Sequence, residues 1–289
     1  MDHGTRIETA LRAAVDVATG PGCPPGLAAA VRHAVFPAGS RLRPRLCLAV
    51  AQACEGAAPA LADAAAAALE LLHCASLVHD DLPCFDDALL RRGRPSVHAA
   101  FGQPLAVLAG DALIVLGFET LARAAGPGCV RLPLLLLTVA RSVGMPTGIA
   151  AGQAWESEPG AELVSYQRAK TGALFAGATM AGAAAGGHDP EAWRVLGERL
   201  GEAYQVVDDI RDVAARPEDL GKPIGRDAAL GRPNAARQLG LAGALARLDQ
   251  LVAEAEAAIP PCPGAGELQA LVRLQAHRFL PAGLLPLAA

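Results

Sequence analysis

The segment from residue 58 to residue 81 reads APALADAAAAALELLHCASLVHDD, and it decides the fold. The alanine run Ala64–Ala68 is good helix-forming material, and Leu69–Val78 continues it as an apolar stretch. The segment therefore predicts one long helix over residues 58–81, ending in acidic residues.

The rest of the 289-residue chain has the same character. Aromatic residues make up only 3% of it, and its abundance of alanine and leucine favours helices over strands. Glycine and proline punctuation predicts helices over about 5–19, 26–36, 42–56, 58–81, 104–125, 130–143, 161–187, 190–214, 234–258 and 265–280. Short connections between them predict an all-α fold, a helical bundle of about ten or more helices forming a single domain over residues 1–289.

Charge and composition exclude several classes of protein. The net charge of −4 provides no basic excess for nucleic acid. Residues 1–20 contain no apolar signal core, and the most apolar stretches considered, Leu132–Ala140 and Gly172–Gly187, are too short or too rich in small residues to span a bilayer. We therefore expect no integral membrane segment. Seven cysteines without a CxxC pair indicate reduced thiols and a cytoplasmic protein.

Four carboxylates crowd the end of the 58–81 helix, in the sequence HDDLPCFDD at residues 79–87. A hard divalent cation would relieve their repulsion, and Mg²⁺ takes carboxylate oxygens while leaving room for substrate phosphates. Asp80 and Asp86 can converge only if the helix deforms, and Pro83 is placed to deform it. The alternative is a solvated acidic helix end followed by a basic loop.

A second acidic cluster, YQVVDDIRD, occupies residues 204–212. Asp208 and Asp212 are four residues apart and point from one helix face, which is apolar just upstream. Such acids are aimed at an interior cavity more often than at water, although an exposed acidic turn is the alternative. Carboxylate pairs on facing helices are typical of metal sites in bundles.

Basic side chains lie in short segments that contain glycine or proline: GSRLRP (39–44), RRGRP (91–95), KTG (170–172) and GKP (221–223). Acids for Mg²⁺ together with scattered Arg and Lys indicate a pyrophosphate site. The sequence has neither a P-loop nor a GxGxxG motif after a strand, so these residues do not indicate a nucleotide-binding site.

Together these motifs resemble those of the trans-type isoprenyl diphosphate synthases over nearly the whole chain. HDDLPCFDD followed by LRRGRPSVH is similar to the family's first aspartate-rich motif, and YQVVDDIRD followed by GKPIGRD to its second. LAGDAL (108–113), AGQ (151–153) and KTGAL (170–174) stand between them in family order. AGQAWESE and GRPNA resemble bacterial synthases that make geranylgeranyl diphosphate for carotenoids.

This resemblance implies a homodimeric prenyltransferase with a deep central cavity, which condenses isopentenyl diphosphate with an allylic diphosphate. It implies three Mg²⁺ ions per active site, bound directly by Asp80, Asp86 and Asp208, with Asp81, Asp209 and Asp212 nearby or acting through water. Mg²⁺ and the basic residues would draw charge onto the leaving pyrophosphate. The allylic C–O bond would then ionise, releasing pyrophosphate, and the isopentenyl double bond would attack the carbocation. The resulting cation would lose a proton, for which pyrophosphate is the expected acceptor.

Roles for the basic residues follow from the same resemblance. The allylic diphosphate is assigned to Arg91, Lys170 and Lys222, the isopentenyl diphosphate to Arg43, His73 and Arg92, and further substrate contacts to Arg41 and Arg232. Thr171 and Gln205 are expected to line the reacting region beside the catalytic Asp80, Asp86, Asp208 and Lys170. The chain departs from the family at Ser40, where a lysine is usual, and at Arg232 and Asn234-Ala235.

Product length is expected to depend on Ala75, five residues before the first Asp, and on Ser76. An aromatic residue at the first position stops growth at fifteen carbons in the family, so its absence predicts a twenty-carbon product. Ala75→Phe or Ala75→Tyr should then shift the product to farnesyl diphosphate.

Three other functions are alternatives to a geranylgeranyl diphosphate synthase. They are a farnesyl diphosphate synthase, a noncatalytic partner subunit and a class I terpene cyclase, the last of which the second acidic motif disfavours.

Overall fold

The computed structural model describes residues 2–36, 39–55, 58–158, 168–214 and 234–278. Within these ranges the chain forms twelve α-helices: α1 (His3–Ala18), α2 (Pro25–Val35), α3 (Leu42–Ala53), α4 (Pro59–Asp80), α5 (Val97–Phe101), α6 (Gln103–Ala124), α7 (Leu132–Val143), α8 (Ile149–Trp155), α9 (Ala173–Gly186), α10 (Arg194–Ala214), α11 (Ala235–Ala257) and α12 (Ala265–Arg278). A π-helical turn (Arg168–Gly172) precedes α9, and a 3₁₀ turn (Glu191–Trp193) precedes α10.

The predicted all-α architecture is confirmed. Each of the ten predicted helical stretches corresponds to a helix within the described residues, and nine of them agree in their ends to within four residues. The predicted stretch 161–187 is α-helical only from Ala173, after the π-helical turn, and residues 161–167 lie outside the described residues. The sequence prediction missed α5 and α8, which are five and seven residues long. Helices this short carry little periodicity and depend on tertiary packing for their stability.

The central helix of the bundle is α4. Proline at its first position suits a helix start, and the alanine run Ala64–Ala68 is buried on all sides. It packs against α1, α3, α6 and α9, and the small alanine side chains allow these neighbours to approach closely. The buried leucines Leu69, Leu71 and Leu72 then extend the core toward the acidic end of the helix.

Two of the described helices are long and apolar enough to cross a membrane by length and composition alone, and neither is among the apolar stretches considered in the sequence. They are α4, with a mean hydropathy of 1.5 and 78% of its most apolar window buried, and α6, with a mean hydropathy of 1.9 and 39% buried. The core helices of globular proteins pass the same test of length and composition, and the burial of α4 matches that description.

A small antiparallel hairpin follows the first acidic cluster, where only a basic loop was expected. Its strands are β1 (Leu90–Arg91) and β2 (Arg94–Pro95), and Arg92 and Gly93 between them have φ values of 53° and 73°. Positive φ at both positions is typical of the tight two-residue turn that joins twisted strands. This turn determines where Arg91 and Arg92 leave the backbone.

Candidate active site

The first acidic cluster lies at the end of α4 and in the turn after it. The helix ends at Asp80, and the backbone N–H of Asp86 donates to the carbonyl of Asp80 at 2.9 Å. The chain therefore folds back on itself, which brings the two aspartates close without bending the helix. The prediction that the helix deforms at Pro83 is wrong in this detail, because α4 ends at Asp80 and Pro83 lies in the turn that follows.

Asp81 and Arg91 form the tightest ion pair of the cluster. Asp81 is buried, and Nε of Arg91 donates to its two carboxylate oxygens at 2.9 and 3.1 Å, with Nη2 donating to Oδ1 as well. Burial raises the pKa of the Asp81 carboxyl, although Arg91 acts in the opposite direction. Asp81 therefore holds Arg91 in place, and Arg91 Nη2 reaches to within 3.9 Å of Asp80.

Lys170 joins this cluster from ninety residues further along the chain. Its Nζ donates to Asp80 Oδ1 at 3.3 Å and to Glu156 Oε1 at 2.7 Å. It sits in the π-helical turn, a rare geometry that is frequent at functional sites. The structure therefore brings together Asp80, Arg91 and Lys170, which the family resemblance assigns to the metal and the allylic diphosphate.

The sequence analysis gave no role to Gln153, which lies within α8, or to Glu156, which lies just after it. Gln153 Nε2 donates to Glu156 Oε2 at 2.8 Å, and Glu156 in turn orients Lys170. Gly152 makes this possible, because a Cβ there would lie 2.4 Å from the backbone nitrogen of Lys170. The AGQAWE sequence was the available signal, but it does not reveal which partner Glu156 has.

The second acidic motif lies on α10. Asp208 and Asp212 are half-buried, one turn apart, as their spacing predicts. Asp209 is buried and turned toward α11, since its carboxylate accepts from Gln205 Nε2 at 3.1 Å and from the backbone N–H of Ala235 at 2.8 Å. This arrangement favours a role for Asp209 in fixing α10 against α11 rather than in direct contact with a metal.

Thr171 connects the two motifs. Its hydroxyl donates to Gln205 Oε1 at 3.4 Å, and Gln205 lies one turn before Asp208 on α10. Lys170, the preceding residue, contacts Asp80. The π-helical turn therefore stands between the two acid-bearing helices, and a cleft of about 1430 Å³ between α7, α9, α10 and α11 reaches Gln205.

Arg43 and His73 form a second basic group beside the first. The Arg43 guanidinium stacks on the rings of Phe175 and Tyr204, with Cζ 4.7 and 5.8 Å from their centroids. Its Nη1 lies 3.4 Å from Nε2 of His73. Among the atoms of the described residues, the buried Nε of Arg43 has no hydrogen-bond partner, which suits an anion arriving from outside the protein.

Electrostatics keep His73 neutral. Burial lowers the pKa of His73 well below its ordinary value, and the charges of Arg43 and Arg92 lower it further. A neutral imidazole that accepts at Nε2 carries its proton on Nδ1. His73 can therefore supply one directed hydrogen bond, while the arginines supply the charge.

Arg41 is placed differently from the expectation that it contacts substrate. Its guanidinium is buried and donates to Glu70 at 2.6 Å, to Glu8 at 2.9 Å and to the carbonyl of Val35 at 2.9 Å. The neighbouring Ser40 is exposed. These contacts favour a structural role for Arg41, so it does not replace the missing lysine at Ser40. Lys222 and Arg232 lie outside the described residues.

The acidic residues fit a magnesium ion by the chemistry of their donors. Asp80, Asp86, Asp208 and Asp212 are half-buried and offer only carboxylate oxygens. Within the described ranges, no three His, Cys, Asp or Glu side chains already form a metal cage. Mg²⁺ is usually bound by one or two carboxylates together with substrate phosphates and waters, and these half-buried carboxylates are donors of that kind.

The two residues expected to govern product length differ in burial. Ala75 is 1% exposed and packed within the core. Ser76 is half-buried, lies one turn before Asp80 and donates from its hydroxyl to the carbonyl of His73 at 2.8 Å. His73, Ser76 and Asp80 share one face of α4, so Ser76 is the residue on the side of the candidate site.

Comparisons with known proteins agree with this geometry. The family model described as Polyprenyl synthetase matches residues 24–257. The geranylgeranyl diphosphate synthase of Cereibacter sphaeroides is 54% identical over 277 residues, 96% of each chain, and that of Rhodobacter capsulatus is 49% identical over 280 residues, 97% of each chain. A solved geranyltransferase of Helicobacter pylori, complexed with magnesium and isoprenyl diphosphate, is 27% identical with a TM-score of 0.78, covering 96% of this chain and 98% of its own. The chain belongs to the polyprenyl synthetase family.

Proposed function

We propose that the protein is a magnesium-dependent geranylgeranyl diphosphate synthase, which condenses isopentenyl diphosphate with an allylic diphosphate. The observation that carries the proposal is the meeting of Asp80 with Lys170, whose neighbour Thr171 bonds to Gln205 beside the second acidic motif. The identity of 49–54% to two synthases of that name supports the twenty-carbon product.

Each of the two basic groups would bind the diphosphate of one substrate. Arg91 and Lys170, next to Asp80, would hold the allylic diphosphate, while Arg43, His73 and Arg92 would hold that of isopentenyl diphosphate. The stack of Arg43 on Phe175 and Tyr204 fixes its guanidinium before substrate arrives. Preorganised cations lower the barrier because they stabilise the charge that develops on the leaving pyrophosphate.

Asp80, Asp86 and Asp208 would hold the metal, with Asp81, Asp209 and Asp212 as supporting residues. When bound, Mg²⁺ supplies positive charge to the diphosphate oxygens. We propose three ions per active site, as the family resemblance implies. The Helicobacter pylori neighbour, complexed with magnesium and isoprenyl diphosphate, supports the choice of metal.

One product assay tests the proposal. The purified protein is incubated with Mg²⁺, labelled isopentenyl diphosphate and each allylic starter in turn, and the products are separated by chain length. We expect geranylgeranyl diphosphate as the main product. Growth that stops at fifteen carbons would favour a farnesyl diphosphate synthase, and an inactive lone chain would favour a noncatalytic partner subunit.

We further propose that two copies associate through α6 as a homodimer. The outer side of this helix exposes Val107 (42%), Leu108 (51%) and Val115 (65%). Burial of such an apolar surface against a second copy would lower its free energy in water. Val115→Lys is expected to raise the monomer fraction in sedimentation experiments, because it places a charge in the contact. Val130→Lys, the same change at an exposed valine outside α6, is the matched control; equal dissociation by both variants would contradict the α6 interface.

We also propose that residues 1–289 form one synthase domain in the cytoplasm, without a membrane span. A single hydrophobic core cluster includes residues from Ile7 to Val272, which supports one domain. The seven cysteines are unpaired, which suits a reducing compartment.

A further inference from the structure

The carboxylate of Glu70 lies beneath the basic group assigned to isopentenyl diphosphate. Glu70 is 1% exposed, on α4, one turn before His73. Its Oε1 accepts from Arg41 Nη1 at 2.6 Å and lies 4.0 Å from Arg92 Nη2. One buried oxygen therefore faces two guanidinium groups, of which only that of Arg92 belongs to the proposed substrate site.

Several guanidinium groups gather around Glu70 and its neighbour His73. Arg41, Arg43, Arg91 and Arg92 all lie close enough to His73 to lower its pKa, after the larger effect of burial. Such like charges repel one another, and the repulsion grows where water is excluded. A carboxylate at the base of the group offsets this repulsion before any diphosphate is bound.

Arg92 is also confined from its other side. A Cβ on Gly39 would lie 2.5 Å from Cζ of Arg92, so the guanidinium rests directly on the backbone there. Its side chain is 31% exposed, which leaves part of it open to a ligand. Glu70 below and Gly39 beside it together restrict the directions in which Arg92 can point.

We propose that Glu70 is a positioning residue for isopentenyl diphosphate binding: it holds Arg92 toward the substrate and offsets the repulsion within the arginine group. This inference rests on the proposed function, since it needs the group around Arg43, His73 and Arg92 to bind that diphosphate. Glu70 acts through Arg92 and makes no contact with the substrate itself. Preorganisation of a charge-assisted contact raises affinity without changing the chemistry that follows.

A purely structural role through Arg41 would be a different explanation, and Glu8 distinguishes the two. Glu8 accepts from Arg41 Nε at 2.9 Å, and among the described residues no ion pair joins it to Arg92. Glu8→Gln therefore removes a carboxylate from Arg41 while leaving the contact between Glu70 and Arg92. It is the matched control for Glu70→Gln.

The test measures the Kd of isopentenyl diphosphate by calorimetry, and KM and kcat for both substrates, in the full-length variants. Glu70→Gln is expected to raise the Kd and KM for isopentenyl diphosphate about tenfold, with kcat and the allylic KM within about twofold of wild type. Glu8→Gln should leave all four values within about twofold. Equal losses in both variants, or isopentenyl diphosphate binding in Glu70→Gln equal to wild type, would overturn the proposal.

Two further measurements keep the result interpretable. In an Arg92→Gln background, Glu70→Gln should add little, and a full additional loss there would show that Glu70 does not act through Arg92. If Glu70→Gln does not fold, Glu70→Asp replaces it and should weaken isopentenyl diphosphate binding about threefold, because the shorter side chain withdraws from Arg92; unchanged binding would refute the role. Wild-type protein that fails to bind isopentenyl diphosphate refutes the proposed function instead.

Discussion

Asp80→Asn is expected to lower turnover by at least about 10²–10³-fold while the protein stays folded. Asp80 stands where Lys170, Arg91 and the turn to Asp86 meet, so its charge contributes to both metal binding and the orientation of Lys170. The amide oxygen of Asn can still accept from Lys170, and we therefore expect the free energy of unfolding to change by only about 1 kcal/mol. Steady-state kinetics and thermal unfolding measure the two quantities.

Asp87→Asn is the matched control for this prediction. Asp87 belongs to the same acidic cluster, but it is exposed and has a φ of 46°, a conformation that Asn tolerates. The Asp87→Asn variant should therefore keep nearly wild-type turnover.

Asp208→Asn should lower turnover as Asp80→Asn does, since it removes a carboxylate from the opposite helix. Full activity in Asp80→Asn, or in wild-type protein with excess chelator, would refute the metal-dependent mechanism.

Ser76→Phe is expected to change the main product from twenty carbons to fifteen. Ser76 shares a face of α4 with Asp80, so a growing chain that extends from the metal-binding residues along α4 would meet an aromatic ring there. The ring would take up the volume of the last five-carbon unit. Separation of the products by chain length gives the result directly.

Ser76→Ala separates the effect of volume from that of the lost hydrogen bond to His73. It should still make twenty carbons. Ala75→Phe, the change suggested by the sequence, should also shorten the product, but Ala75 is 1% exposed and the ring must displace core side chains. We expect it to cost about 1–3 kcal/mol of stability. A folded Ser76→Phe protein that makes the same product as wild type would place the length control elsewhere.

The sequence by itself determined the features that depend on local chemistry. Helix propensity and punctuation located the long helices, because these preferences act over a few residues. The i and i+4 spacing placed Asp208 and Asp212 on one face for the same reason. The acidic and basic segments also identified the class of substrate, since carboxylates and guanidinium groups in this combination suit metal and diphosphate.

Tertiary structure alone decided which of those residues face one another. Arg41 and Arg43 are two residues apart, yet Arg41 has a φ of 49° and pairs with buried Glu70, whereas Arg43 stacks on two rings from α9 and α10. Lys170 meets Asp80 from a π-helical turn against which α8 packs closely at Gly152. Such contacts join positions distant in the chain. They depend on how whole helices pack, which no local preference of the residues involved specifies.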